Sequence, residues 1–159
     1  MNLDLTDIKE YTLPFYEDYR GQSSVTYLNE VDGKEFNQDN TAVRYKNVLV
    51  GLHGNFVTWK LITCLYGRIY CVFLDYRKES KTYLKYKKVI LSHENKKQIL
   101  LPPGFGNGYL VLSDVCVYNY KFHHENNGVM EKEFILKWNE YGIHWPCWHP
   151  IISERDNKL

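Results

Sequence analysis

Several stretches of this 159-residue chain carry side chains able to do chemistry. Phe15-Tyr16-Glu17-Asp18-Tyr19-Arg20-Gly21 ends on a guanidinium, which forks onto phosphate oxygens. Phe36-Asn37-Gln38-Asp39-Asn40 offers amides, which reach phosphate or base edges. Val48-Leu49-Val50-Gly51-Leu52-His53 ends an apolar run on an imidazole, a base whose unperturbed pKa of about 6.5 lies close to working pH. Lys60-Leu61 follows. Pro102-Pro103-Gly104-Phe105-Gly106-Asn107-Gly108-Tyr109 runs into Leu112-Ser113-Asp114 and Tyr120-Lys121. A phenol titrates near about 10, so it stays protonated until a strong base forms beside it. Gly142-Ile143-His144-Trp145-Pro146 and Ser153-Glu154-Arg155-Asp156 close the chain. Each of these residues also has a plain structural reading. A buried structural histidine is common at the end of an apolar run, Tyr120 is one of 14 tyrosines, and Lys60 can be an ordinary edge lysine. Arg20 beside Gly21 can cap a turn, and Asp156 can be a surface charge. Residue types alone leave the function open.

Composition narrows the classes. Hydrophobic residues make up 44% and charged residues 25%, which excludes disorder and collagen. The length suits one domain over residues 1–159. Net charge is +1, so the basic excess of a nucleic-acid binder is missing. Lys81, Lys85, Lys87 and Lys88 alternate with Tyr and Leu and read as the wet face of a strand. No apolar run approaches the roughly 20 residues of a membrane span, and Met1–Tyr11 has no apolar signal region. A cytoplasmic protein with no membrane partner is expected. Cys64, Cys71, Cys116 and Cys147 form no CxxC pair and are expected reduced. Cys147 and His149 lack the further ligands that a zinc site needs.

The elements that must position these groups read as strands. Tyr, Phe and Trp make up 16% of the chain, and aromatics favour pleated surfaces. Strands are expected at Asn47–His53, Thr82–Leu91, Gln98–Leu101, Tyr109–Leu112 and Val115–Phe122. Leu61–Tyr66 and Arg68–Asp75 flank Gly67 and read as a hairpin. Asp32-Gly33 marks a turn between Ser23–Val31 and Lys34–Phe36. Helices are expected only as short pieces near the ends, such as Ile135–Tyr141, and the polar tail after Ser153 reads as loose. His123 and His124 read as loop residues, and Asp114 as a turn residue. Close strands with Gly and Pro turns argue for an all-β sandwich or barrel.

Taken in order, the motifs resemble the dTDP-4-dehydrorhamnose 3,5-epimerase family from Phe15 to Asp156. Gly51-Leu52-His53-Gly54-Asn55, Thr58-Trp59-Lys60-Leu61, Thr82-Tyr83-Leu84-Lys85-Tyr86 and Gly104-Phe105-Gly106-Asn107 look most like the branch acting on GDP-4-keto-heptoses for bacterial capsules. The resemblance implies a cupin-type jelly roll (a double-stranded β-helix) with short peripheral helices, a homodimer, and no metal or redox cofactor. Metal-binding cupins carry a second histidine two residues after the first. Here Gly54 and Asn55 follow His53.

The implied reaction is epimerisation beside a C4 ketone of a GDP- or dTDP-linked sugar. Removing a proton from C3 or C5 gives an enolate, and reprotonation on the other face inverts the centre. His53 matches the family base and Asp156 the carboxylate that orients it. Tyr120 matches the acid of the opposite face, and Lys60 the ammonium at the enolate oxygen. Arg20, Gln38 and Asn40 match positions that hold the nucleotide diphosphate, and Phe15 an aromatic near the base. Two positions depart. Val50 stands where the family has an arginine that helps bind phosphate, and Asn107 where it has a histidine supporting the site. These departures keep open C3-only epimerisation, a different hexose or heptose, and a non-catalytic sugar-nucleotide-binding cupin; a dTDP-4-keto-6-deoxyhexose 3,5-epimerase and a 3,4-ketoisomerase on the same scaffold are further alternatives.

Overall fold

Between the Gly and Pro turns, aromatic and β-branched runs present one face to water and one to a core, so they pair as strands. The computed structural model describes residues 5–124 and 132–158. In chain order the strands are β1 (Lys9–Thr12), β2 (Phe15–Asp18), β3 (Gly21–Ser24), β4 (Gln38–Tyr45), β5 (Val48–Gly54), β6 (Thr58–Tyr66) and β7 (Arg68–Asp75). Then follow β8 (Tyr86–Ser92), β9 (Lys97–Leu101), β10 (Phe105–Val111), β11 (Val115–His124), β12 (Phe134–Ile135) and β13 (Ile151–Ile152). A single short helix, α1 (Glu154–Asn157), is the one helix among the described residues.

One sheet has the order β1-β9-β6-β11-β4, and the other β12-β5-β10-β7-β8, with β13 parallel to the start of β5. From β4 to β11 the chain passes back and forth between the two sheets, which is the winding of a jelly roll. The fold is therefore the all-β, cupin-type jelly roll expected from the sequence. Between the sheets lies a core that includes Ile62, Cys64, Ile69, Cys71, Phe73, Leu101 and Cys116. Burial pushes the Cys64 thiol up to about 12 and raises Cys71 and Cys116 as well, so these cysteines act as small hydrophobes. A second cluster on the outer face of the β5 sheet joins Leu52, Val72 and Leu74 to Leu136 and Ile143. There the Gly142–Pro146 motif serves as cover: Tyr86 donates to the Gly142 carbonyl (3.0 Å) and Tyr70 to that of His144 (3.3 Å).

The structure corrects several expectations. β6 and β7 are strands, but they lie in different sheets and are not a hairpin. Both strands carry core residues on one face, Ile62 and Cys64 on β6, Ile69 and Phe73 on β7. Turning the corner at Gly67 lets both faces meet, whereas flat pairing would leave one of them wet. A Cβ there would lie 2.3 Å from the Val115 carbonyl oxygen, and its φ is +79°. No helix forms over Ile135–Tyr141. Leu136 instead exchanges backbone bonds with Leu52 (2.9 and 3.4 Å), so sheet pairing overrides local propensity. Thr82–Leu84 is turn, not strand, because Ser80 and Thr82 both donate to the buried carboxylate of Asp75 (2.6 and 2.7 Å). Only Lys87 and Lys88 of the lysine run lie on β8. Of Ser23–Val31 only the first two residues extend a strand, while Val31 and Lys34 bridge around Asp32-Gly33. His123 and His124 close β11 and are not loop residues. The tail through Lys158 is held, since Asp156 is buried. Among the described residues, no helix is long and apolar enough to cross a membrane.

Candidate active site

Along β5, Val48 and Val50 pack against the core between the sheets. Strict alternation would turn Leu52 the same way and His53 outward. The reverse holds: Leu52 is fully buried in the outer cluster, and His53 lines the cavity between the sheets. The parity changes at Gly51, whose φ is +128°, where the ladder with β10 shifts between Asn107 and Tyr109. A Cβ at Gly51 would lie 2.4 Å from the Cα of Gly108, and one at Gly108 2.9 Å from the Val50 carbonyl oxygen. Two glycines facing each other thus allow the irregularity that aims the imidazole inward.

Behind the imidazole stands Asp156. β13 runs parallel to the start of β5, and Ser153 caps α1 by accepting from the Asp156 amide (3.2 Å). This turn puts Asp156 Oδ1 2.6 Å from His53 Nε2, while Oδ2 accepts from the Gly51 amide (3.3 Å). A buried carboxylate in this position fixes the tautomer with the hydrogen on Nε2. The lone pair then sits on Nδ1.

The other sheet supplies the facing wall. On β11 the residues Tyr118, Tyr120 and Phe122 face inward, with ring centroids 5.3 Å apart at each step. Asn40 lies opposite Tyr120 on β4 and donates to its carbonyl (3.3 Å). Gln38 donates to Asn40 Oδ1 (3.0 Å) and accepts from His124 Nε2 (3.1 Å). Lys60 on β6 is 9% exposed, and its ammonium donates to the His53 carbonyl (3.1 Å). Burial brings its pKa down to about 8, against the opposing pull of Glu133. Asn107 sits opposite His53 on β10 and accepts from the Tyr118 hydroxyl (2.8 Å). Burial holds that phenol well above its ordinary value, so it stays a donor.

These groups enclose a cavity of about 290 Å³. His53 is on one sheet, Lys60 and Tyr120 on the other, with Gln38, Asn40 and Asn107 around them. A base and an acid on opposite walls can handle opposite faces of one carbon. Among the described residues, no three His, Cys, Asp or Glu side chains are grouped to hold a metal ion. Six of the nine residues singled out by sequence line the cavity, and Asp156 backs it. Phe15 and Arg20 do not. They lie on the β2–β3 hairpin, where Arg20 pairs with Asp18 (2.6 Å) in the open. Sequence reading missed Arg44, Tyr109, Tyr118, Phe122 and Glu133 in the lining. The signal for Arg44 was present: Gln38, Asn40, Ala42 and Arg44 repeat at the period of a strand, and all four line the cavity.

Known proteins resemble this one over its whole length. The sequence family described as dTDP-4-dehydrorhamnose 3,5-epimerase matches residues 2–159. The enzyme of that name from Salmonella typhimurium is 37% identical over 150 residues, covering 89% of this chain and 79% of its own. The solved structure of the Bacillus anthracis enzyme, with TDP and pyrophosphate bound, superposes with a TM-score of 0.89 at 29% identity, covering 100% of this chain and 96% of that one. The Legionella pneumophila epimerase in complex with dTDP-4-keto-L-rhamnose gives 0.88 at 29% identity, covering 99% and 89%.

Proposed function

This chain belongs to the dTDP-4-dehydrorhamnose 3,5-epimerase family, and from that premise we propose that it inverts C3 and C5 of a nucleotide-linked 4-keto-sugar. One observation carries the reading: the His53–Asp156 pair on one wall faces Tyr120 and Lys60 on the other.

In the proposed step, His53 Nδ1 takes the proton from C3 or C5. The C–H electron pair becomes the ring C=C bond, and the carbonyl π pair moves onto the C4 oxygen. The Lys60 ammonium, itself buried, stabilises that oxyanion. Tyr120 delivers its proton to the carbon from the opposite face as the enolate collapses back to the ketone. The imidazolium then gives its proton to water and the phenolate regains one, so solvent hydrogen enters the product.

The substrate we propose is a GDP-4-keto-heptose on the way to a capsular or surface polysaccharide. Its support is the branch resemblance around Gly51–Asn55 and Thr58–Leu61. A dTDP-linked 4-keto-6-deoxyhexose is the second reading, supported by the Legionella and Bacillus structures with dTDP-type ligands. A homodimer completes the site in this account. Phe15 and Arg20 match nucleotide-binding positions yet stand off the cavity of their own chain, on a hairpin exposing Tyr16 and Tyr19, so a second copy would receive them. Incubating the full chain with GDP-4-keto-heptose and with dTDP-4-keto-6-deoxyglucose, and reading product configuration by NMR, tests the proposal. Inversion of either supports epimerase activity, and the faster substrate identifies the nucleotide. Migration of the ketone, or no change in either sugar, rules it out.

A further inference from the structure

We propose that Arg44 is the arginine by which the cavity's own chain contacts the substrate's diphosphate. The inference rests on the nucleotide-sugar reading above and assigns a residue within it. Arg44 is the last residue of β4 in the cavity lining and is exposed to solvent. Asn40 marks the reacting end, opposite Tyr120, while Arg44 lies opposite Cys116. Four residues of strand separate them by about 13 Å. A sugar ring followed by two phosphates spans a length of that order, so a sugar at Tyr120 brings its phosphates toward Arg44.

Charge gives the second argument. A sugar linked to a nucleoside diphosphate carries two negative charges into the site. Arg44 and Lys60 are the two lysine or arginine side chains in the lining. Lys60 is buried beside the His53 carbonyl at the reacting end. The one carboxylate in the lining, Glu133, is paired with Arg155 outside it. Arg20, Arg68, Arg77 and Arg155 each hold a carboxylate. Arg44, the remaining arginine of the chain, is paired with no carboxylate among the described residues. Its Nη1 donates to the neighbouring Val43 carbonyl (2.9 Å), which leaves most of the guanidinium fork open. Val50, in the same lining, is apolar and contributes no charge. A guanidinium paired with no carboxylate, at the exposed end of the cavity lining, suits a bidentate phosphate contact.

The test is calorimetric titration of the full-length parent, Arg44→Ala, Arg44→Lys and the double variant Arg44→Ala/Val50→Arg with GDP and with dTDP, alongside steady-state kinetics. The expected result is a 10- to 100-fold weaker diphosphate affinity in Arg44→Ala, about the worth of one or two charged hydrogen bonds. KM should rise by the same factor with kcat nearly unchanged, because the contact is the same in ground and transition states. Arg44→Lys should recover part of the affinity, and an arginine returned at position 50 should recover more. If the parent binds a diphosphate and Arg44→Ala binds it within twofold, the Arg44 assignment is overturned alone. If the parent binds neither GDP nor dTDP, the nucleotide-sugar reading falls and the assignment falls with it.

Discussion

At the residue scale, the proposed chemistry divides between two walls, and single substitutions separate the halves. Tyr120→Phe keeps the base and loses the acid. In D₂O it should still exchange hydrogen at C3 or C5, because His53 can return a deuteron to the face it deprotonated, while inversion falls by about 10²-fold or more. Proton NMR of the recovered substrate reads both effects at once. Lys60 adds a pH dependence. Its pKa is about 8, so the ammonium fraction, and with it turnover, should fall as pH rises through 8. Lys60→Met should remove this fall and lower kcat by roughly 10²-fold. The same shift acts on folding with the opposite sign. The unfolded lysine titrates at 10.5 and the folded one near 8, so the unfolded chain binds more protons between those values. The Lys60 contribution to stability therefore rises with pH across that window. Thermal melts of the parent should gain on those of Lys60→Met between pH 8 and 10.

At the scale of elements, the site depends on an irregular strand. Gly51→Ala places a Cβ 2.4 Å from the Cα of Gly108 at a φ of +128°. We expect a loss of about 2–4 kcal/mol in urea unfolding and, in protein that still folds, a larger loss of turnover than of nucleotide affinity. The Asp75 corner is a second such point. Burial pushes that carboxyl up, but hydrogen bonds from Arg77, Ser80 and Thr82 outweigh it and hold the carboxyl below the ordinary range. Its contribution is complete above the unfolded value of 3.8 and is lost as pH falls below it. Asp75→Asn should therefore be clearly less stable than the parent at pH 7, with the gap narrowing toward pH 2. Much of this architecture was legible in the sequence, because β5, β9 and β11 announce themselves by apolar runs and turn residues. The parity change at Gly51 was not legible, since it depends on a glycine 57 positions away. Nor was the corner at Gly67, because a glycine between two strands has the same local chemistry whether they pair or part. β4 was overlooked because its inward residues, Gln38, Asn40 and Arg44, are polar. A strand that lines a polar cavity lacks the apolar alternation by which strands are recognised.

At the scale of the whole molecule, the jelly roll gives each chain a cavity between two sheets, and the proposed dimer brings the β2–β3 hairpin of one copy to the cavity of the other. Subunit complementation tests that arrangement. His53→Asn and Arg20→Ala, each impaired alone, should on mixing form hybrid dimers in which one of the two sites is intact. Activity should recover to about a quarter of the parent's if protomers exchange at random. A hairpin serving its own chain would give no recovery. Motif order identified most of the candidate residues, but a single chain leaves Phe15 and Arg20 apart from the rest, and sequence carries no mark of which copy a residue serves. The central claim is that His53 removes a proton beside the ketone. The most direct measurement is proton NMR of C3 and C5 in D₂O, with the GDP- and dTDP-linked 4-keto-sugars, for the parent and His53→Asn side by side. Deuterium is expected at both carbons with the parent, and that exchange should fall by roughly 10³-fold in a folded His53→Asn protein. Exchange in His53→Asn at the parental rate would contradict it.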